Sequence, residues 1–237
     1  MSTKFFNNTI NNTLFNKFKG IADGMPNFHS FLAVVGYFRS SGYFKLRKEL
    51  ANVQDIKILV GINIDSIFRK HNQALLMLDG DDEAREIYTK DFIQDVKDAQ
   101  YSPDVEVGIL QLCDDIVSGK LQMRIHKSKN LHAKFYLCLP QNFSPNTDGW
   151  VLMGSSNISD SGLGITRPPR YELNVAMKDY DDVAYCKNEF ETLWNEGIPI
   201  TAEDIERIRK KTHLENLPTP YGIFMKVLID AFGNQVE

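Results

Sequence analysis

The sequence predicts an α/β (mixed α+β) protein, a three-layer αβα sandwich built around a mixed β-sheet. Three observations predict it. Two compact apolar runs, residues 31–38 and 56–62, flank a segment with helical spacing, which is the order of a right-handed βαβ unit with parallel strands. Three more apolar runs, one ending at Cys138-Leu139-Pro140 and the others at residues 149–157 and 171–177, follow one another with short connections, as neighbouring strands do. Segments with 3.6-residue apolar spacing precede and follow them, enough to cover the sheet.

Taken in order, residues 3–20 are rich in Asn and Phe and read as a short helix or an irregular stretch. The run 31–38 is closed by Arg39-Ser40-Ser41-Gly42, a strand and then a turn, with Ser41 placed to cap a helix over 43–50. Residues 56–62 form the next buried strand. From His71 to Ala99 the pattern is helical, interrupted at Gly80-Asp81-Asp82, and 104–118 continues as a helix. Leu121-Gln122-Met123-Arg124-Ile125 alternates and reads as a strand, and the three motif-bearing strands follow. A Gly- and Pro-rich loop spans 159–170, and helices are predicted over 181–195 and 202–214. Leu217-Pro218-Thr219-Pro220 looks like a linker. Residues 1–200 are therefore read as one domain and 201–237 as a helical extension.

At 237 residues, 43% hydrophobic and 24% charged, the chain has the composition of an ordinary globular protein. No stretch approaches the roughly 18 apolar residues needed to cross a bilayer. The N-terminus lacks the apolar core of a secretory signal, so a cytoplasmic location is expected. Cys113, Cys138 and Cys186 are too scattered for a disulfide framework or a zinc cluster, and Cys138 and Cys186 read as buried, inert thiols. A net charge of −4 argues against non-specific coating of nucleic acid. The charge is unevenly spread, however. Residues 79–106 hold ten acids against three bases, whereas 120–134 hold five bases, two histidines and no acid. A local positive field attracts a polyanion even on an acidic molecule.

That basic segment runs into His132-Ala133-Lys134. Residues two apart in a strand share a face, so His132 with Lys134, Ser155 with Asn157, and Glu172 with Asn174 are expected to project together. An imidazole, an ammonium, a hydroxyl, an amide and a carboxylate around one patch suit metal-free phosphoryl chemistry. Lys134 and Asn157 would bind non-bridging oxygens, and neutral His132 would attack phosphorus. Glu172 would accept the other ring N–H. A second acid must protonate the leaving oxygen, and a two-fold dimer would supply it as His132 of the other copy.

His132-Ala133-Lys134, Gly154-Ser155-Ser156-Asn157 and Glu172 in Tyr-Glu-Leu-Asn-Val together resemble the signature of the phospholipase D superfamily. The resemblance implies a nucleophilic His132, phosphate held by Lys134 and Asn157, and support for the histidine from Ser155 and Glu172. Single-motif members are similar to this chain in size, which implies a homodimeric nuclease needing no metal or other cofactor. Residues 34–42 and 58–61 resemble a subgroup found in restriction endonucleases and at the front of bacterial helicases. Residues 219–233 are similar to the junction leading into such a helicase, which implies a helicase domain beyond Glu237. One departure stands out: the family's aspartate five residues after the lysine is Leu139 here, and Asp148 is out of register. That weakens lipid chemistry more than nuclease chemistry.

Lys127, Lys129 and Arg170 are the expected substrate-binding residues, with Arg39 and Arg167 as further candidates. His126 reads as a solvated loop residue. The chain has no Gly-x-x-x-x-Gly-Lys-Ser/Thr loop, so it does not itself hydrolyse ATP, and no cluster has metal-ligand spacing. The expected activity is metal-independent DNA phosphodiester cleavage, as a module of a helicase or restriction system and without a membrane partner. The alternative is an inactive nucleic-acid-binding module with the same groove.

Overall fold

In a computed structural model of the protein, the described residues are 4–9, 11–61, 81–98, 103–126 and 131–211. They form strands β1 (Phe5–Phe6), β2 (Phe28–Val35), β3 (Asp55–Gly61), β4 (Leu121–His126), β5 (Phe135–Pro140), β6 (Trp150–Gly154), β7 (Asn174–Met177) and β8 (Ile198–Pro199). The helices are α1 (Leu14–Gly24), α2 (Ser40–Arg47), α3 (Asp81–Asp98), α4 (Pro103–Val117), α5 (Tyr180–Glu196) and α6 (Ala202–Lys211).

The strands make one eight-stranded sheet in the order β1-β7-β6-β5-β2-β3-β4-β8. β2, β3 and β4 run parallel to one another, and the remaining pairs are antiparallel, so the sheet is mixed as the sequence predicts. Alternation divides its side chains between two cores. Phe31, Ala33 and Val35 of β2 join Ile56, Ile58 and Val60 of β3 on one face, under Phe18, Leu46, Phe92, Leu112 and Ile205 from α1, α2, α3, α4 and α6. Leu32, Val34, Leu59, Leu137 and Val151 point to the other face, where α5 covers them with Val183, Phe190 and Trp194. Helices on both faces explain why β2 and β3 read as continuous apolar runs.

Several predicted elements need correction. Residues 3–20 contain an edge strand: Phe5 and Phe6 pair with Val175 and Asn174 of β7. The following helix begins at Leu14, where the Thr13 side chain accepts from the Asn16 N–H, and runs past Gly20 to Gly24. α2 starts at Ser40 rather than after a Ser41 cap, and the carboxylate of Asp95 from α3 accepts from both the Ser40 N–H and its hydroxyl. A tertiary partner has replaced the local cap. The two-residue strand β8, which closes the sheet beside β4, was not predicted. Residues 71–80, 99, 212–214 and 217–237 lie outside the described residues.

A buried polar knot ties α2 to α4. The Tyr43 hydroxyl donates to Asp115 Oδ2 at 2.9 Å, and Arg47 reaches the same carboxylate with Nε at 2.7 Å and Nη2 at 3.1 Å. Burial, with the Asp115 charge second, pushes the Tyr43 phenol far above its usual range. All three cysteines are buried and unpaired. Among the described residues no helix is long and apolar enough to cross a membrane.

Candidate active site

Four neighbouring strands end together. The register sets Val34 opposite Phe135, Phe135 opposite Met153, and Gly154 opposite Asn174. The residues just past those ends, Gly36, Lys134, Ser155 and Glu172, therefore gather at one end of the sheet. The expectation that the motif residues sit inside strands needs correction. β5 begins after Lys134, β6 stops before Ser155, and β7 begins after Glu172. The alternation argument fails there: His132 is exposed, whereas Lys134 is only 7% exposed. One ladder bond persists, from the Gly154 N–H to the Lys134 carbonyl at 3.2 Å, and it fixes where the lysine leaves the sheet.

The Lys134 ammonium lies 2.8 Å from Nδ1 and 2.9 Å from Nε2 of His132, and donates to the His132 carbonyl at 2.8 Å. Burial lowers the Lys134 pKa below the ordinary lysine value, and the Glu172 charge partly offsets that. On the neighbouring β2 end, the Tyr37 N–H donates to Asn157 Oδ1 at 3.0 Å and orients the amide. Gly36 sits between the two groups: a Cβ there would lie 3.6 Å from Lys134 Cε and 3.7 Å from Asn157 Oδ1. The ammonium-bearing carbon and the amide thus converge on one point, above a residue with no side chain to fill it.

The Ser155 hydroxyl donates to Glu172 Oε2, and Ser155 exchanges backbone and side-chain bonds with Leu173. Glu172 was expected to accept from the His132 ring. Among the described residues its hydrogen bond comes from Ser155 instead. Beneath this layer Ser156 is fully buried. Asn174, 3% exposed, donates from Nδ2 to the Ser156 hydroxyl at 2.9 Å and accepts from its N–H at 3.4 Å. The Tyr136 hydroxyl donates to the Ser156 carbonyl at 2.8 Å.

The positive flank is only partly within view. Lys127 and Lys129 lie outside the described residues. Arg170 is exposed on the loop before Glu172, and Arg167 on the same loop donates to the Gly164 and Thr166 carbonyls. Arg39 pairs with Asp95 and lies over the Tyr37 ring at 5.0 Å. His126 is buried at the end of β4, 3.3 Å from Glu196, not in a solvated loop. Leu139, standing where the resemblance implies an aspartate, is packed in the core under α5. Among the described residues no group of three His, Cys, Asp or Glu side chains is placed to share a metal ion.

Sequence reasoning missed the supporting residues Gly36, Tyr37 and Tyr136, and the buried, supporting role of Asn174. Asn174 left one signal, a polar residue inside the run Leu173-Asn174-Val175-Ala176, but alternation assigned it to the face of Glu172.

No protein-family model matches the chain, and no curated protein matches it. Among solved structures it is similar to Nuc, a phospholipase D family member from Salmonella typhimurium, at 12% identity over 78% of this chain and 88% of that one, with a TM-score of 0.42. It is similar to NucT from Helicobacter pylori at 12% identity over 79% and 91% of the two chains, TM-score 0.42. A phosphatidylserine synthase from Haemophilus influenzae matches at 14% identity over 98% of this chain but 46% of its own length, TM-score 0.45.

Proposed function

We propose that the chain is a phospholipase D-type phosphodiesterase that cleaves DNA without a metal ion, through a phosphohistidine on His132. The convergence of Lys134 and Asn157 beside Gly36, next to an exposed imidazole, is the observation that carries this reading.

Without substrate, the Lys134 ammonium donates toward the His132 ring and backbone. A phosphodiester arriving above Gly36 offers non-bridging oxygens as stronger, charged acceptors. Lys134 then turns its donors to phosphate, and the Asn157 amide, held at its oxygen by Tyr37, presents its N–H groups. A ring nitrogen of His132 is freed to attack. The N–P bond forms as the P–O bond to the leaving nucleoside breaks, and an acid protonates the departing oxygen. Water then attacks the phosphohistidine, gives a proton to the conjugate base of that acid, and restores the imidazole. His132 of a second copy in a homodimer supplies the acid. Glu172 places a negative charge near the site and, through Ser155, fixes the strand end.

DNA is favoured over lipid by the basic residues leading into the motif, among them Lys127 and Lys129, and by exposed Arg170. The chain then serves as the cleaving module of a helicase or restriction system. The test is cleavage of single- and double-stranded DNA in EDTA by wild type and His132→Ala. Wild-type cleavage abolished by the substitution is expected. Cleavage that survives it, or that requires added metal, contradicts the mechanism, and binding without turnover in the wild type favours an inactive nucleic-acid-binding module. Light scattering tests the dimer, since a fully active monomer contradicts two-histidine catalysis.

A further inference from the structure

The Tyr37 N–H fixes the side-chain amide of Asn157, but the backbone that carries this amide belongs to a loop with an anchor of its own. The chain turns sharply after Asn157, whose carbonyl accepts from the Ser159 N–H at 3.0 Å. It then folds back until Gly162 packs against Asn157. A Cβ at Gly162 would lie 2.2 Å from the Asn157 carbonyl oxygen and 2.8 Å from its backbone nitrogen. Only a residue without a side chain fits, and at that distance the two backbones move together.

Gly162 is held in turn by Asn8, from the far end of the sequence. Asn8 is 1% exposed, and its backbone lies in the left-handed region at φ 58°, which asparagine adopts more readily than most residues. Its Nδ2 donates to the Gly162 carbonyl at 3.0 Å and to the Ser161 carbonyl at 3.2 Å. Its Oδ1 accepts from the N–H of Leu14, the first residue of α1, at 3.1 Å. A second tie runs from the Phe15 N–H to the Leu163 carbonyl at 3.2 Å. Gly164 leaves room for the junction, since a Cβ there would lie 2.8 Å from both Asn8 Oδ1 and Thr13 Cβ. One buried amide therefore joins the end of β1, the start of α1 and the loop after Asn157, with donors and acceptor all satisfied.

We propose that Asn8 is a positioning residue for phosphodiester cleavage: through Gly162 it sets the backbone of Asn157, and so the direction from which the Asn157 amide meets phosphate. The phosphate-binding role of Asn157 rests on the function proposed above. A donor to a developing charge acts only when it is held in place before the reaction, so a loop that drifts loses rate. The two duties of Asn8 use different atoms, Nδ2 toward the loop and Oδ1 toward α1. Asn8→Asp separates them. It keeps an acceptor for Leu14 at a helix N-terminus, where negative charge is favourable. It also replaces the donor by an oxygen that repels the Ser161 and Gly162 carbonyls.

The test is a double-variant cycle on DNA cleavage in EDTA, with wild type, Asn8→Asp, Asn157→Ala and both together. Urea unfolding gives the folded fraction, and amide hydrogen exchange over residues 157–164 of the full chain reports the loop. Asn8→Asp is expected to lower kcat/KM of the folded protein at least about tenfold and to speed exchange in the loop. In the Asn157→Ala background the same substitution should change kcat/KM by less than about twofold, because an effect routed through the amide disappears with it. Gly162→Ala, which drives a Cβ into the Asn157 backbone, should show the same coupled loss and replaces Asn8→Asp should that variant not fold. Losses that multiply independently, or unchanged exchange in the loop, overturn the proposal. The two readings fail separately. A wild type that does not cleave removes the nuclease, and exchange still decides whether Asn8 holds the loop, whereas cleavage with independent losses removes the positioning role alone.

Discussion

Replacing Asn174 by alanine takes hydrogen bonds from a place that water does not reach. Its Nδ2 bonds the Ser156 hydroxyl at 2.9 Å and its Oδ1 receives the Ser156 N–H at 3.4 Å, and Ser156 is fully buried. A net hydrogen bond contributes about 0.5–1.5 kcal/mol, and a buried polar group left without a partner costs about 1–3 kcal/mol. Asn174→Ala loses the first and incurs the second, so about 3 kcal/mol of destabilisation is expected. Ser156→Ala orphans only the amide of Asn174 and should cost about 1–2 kcal/mol. The two residues share their bonds, so the double variant should be more stable than the sum of the singles implies, by about 1 kcal/mol. Urea unfolding with an unchanged slope measures all three values. Ser155 and Asn157 flank Ser156, so DNA cleavage should fall as well. An Asn174→Ala loss below about 1 kcal/mol, or strict additivity, would show that this pair does not hold the site's loop.

Other perturbations test separate parts of the account. Lys134 must be charged to hold phosphate; burial lowers its pKa while Glu172 pulls it up, so the alkaline limb of kcat/KM should lie below that of an ordinary lysine. Glu172→Gln removes the upward pull and should move that limb to still lower pH; a shift to higher pH contradicts the arrangement. Asp115→Ala leaves the Arg47 guanidinium and the Tyr43 hydroxyl without their shared partner, and should destabilise the fold by about 3 kcal/mol in urea titrations while cleavage by the remaining folded protein persists. Gly36→Ala places its Cβ at ordinary contact distance, 3.5 Å from the Leu131 carbonyl, so stability should change by less than about 1 kcal/mol. Gly36→Leu should instead fill the space between Lys134 and Asn157 and abolish cleavage of DNA, with melting temperature as the control.

The candidate site was legible because His132, Lys134, Ser155, Asn157 and Glu172 are polar residues bordering apolar runs. Their exact backbone setting was not legible. Alternation holds only while the ladder continues, and the chain leaves the sheet at Lys134, Gly154 and Asn174, so the residues singled out by alternation gather at one end of the sheet rather than on a shared strand face. Burial of long apolar runs made β2, β3 and β5 readable. β1 and β8, two residues each, exist through pairing with distant strands and carry no local period. The Ser40 contact to Asp95 and the His126 contact to Glu196 likewise depend on elements far apart in sequence, which composition and periodicity do not encode.

The central claim is a covalent bond between His132 and substrate phosphorus. Wild-type protein would be mixed with DNA in EDTA, quenched in alkali within a single turnover, digested, and analysed by mass spectrometry for a nucleotide linked to the peptide carrying His132. The account predicts an acid-labile, alkali-stable adduct on that histidine, absent from His132→Ala and formed no more slowly than product appears. Cleavage in EDTA with no adduct at His132, or an adduct on another residue, would contradict it.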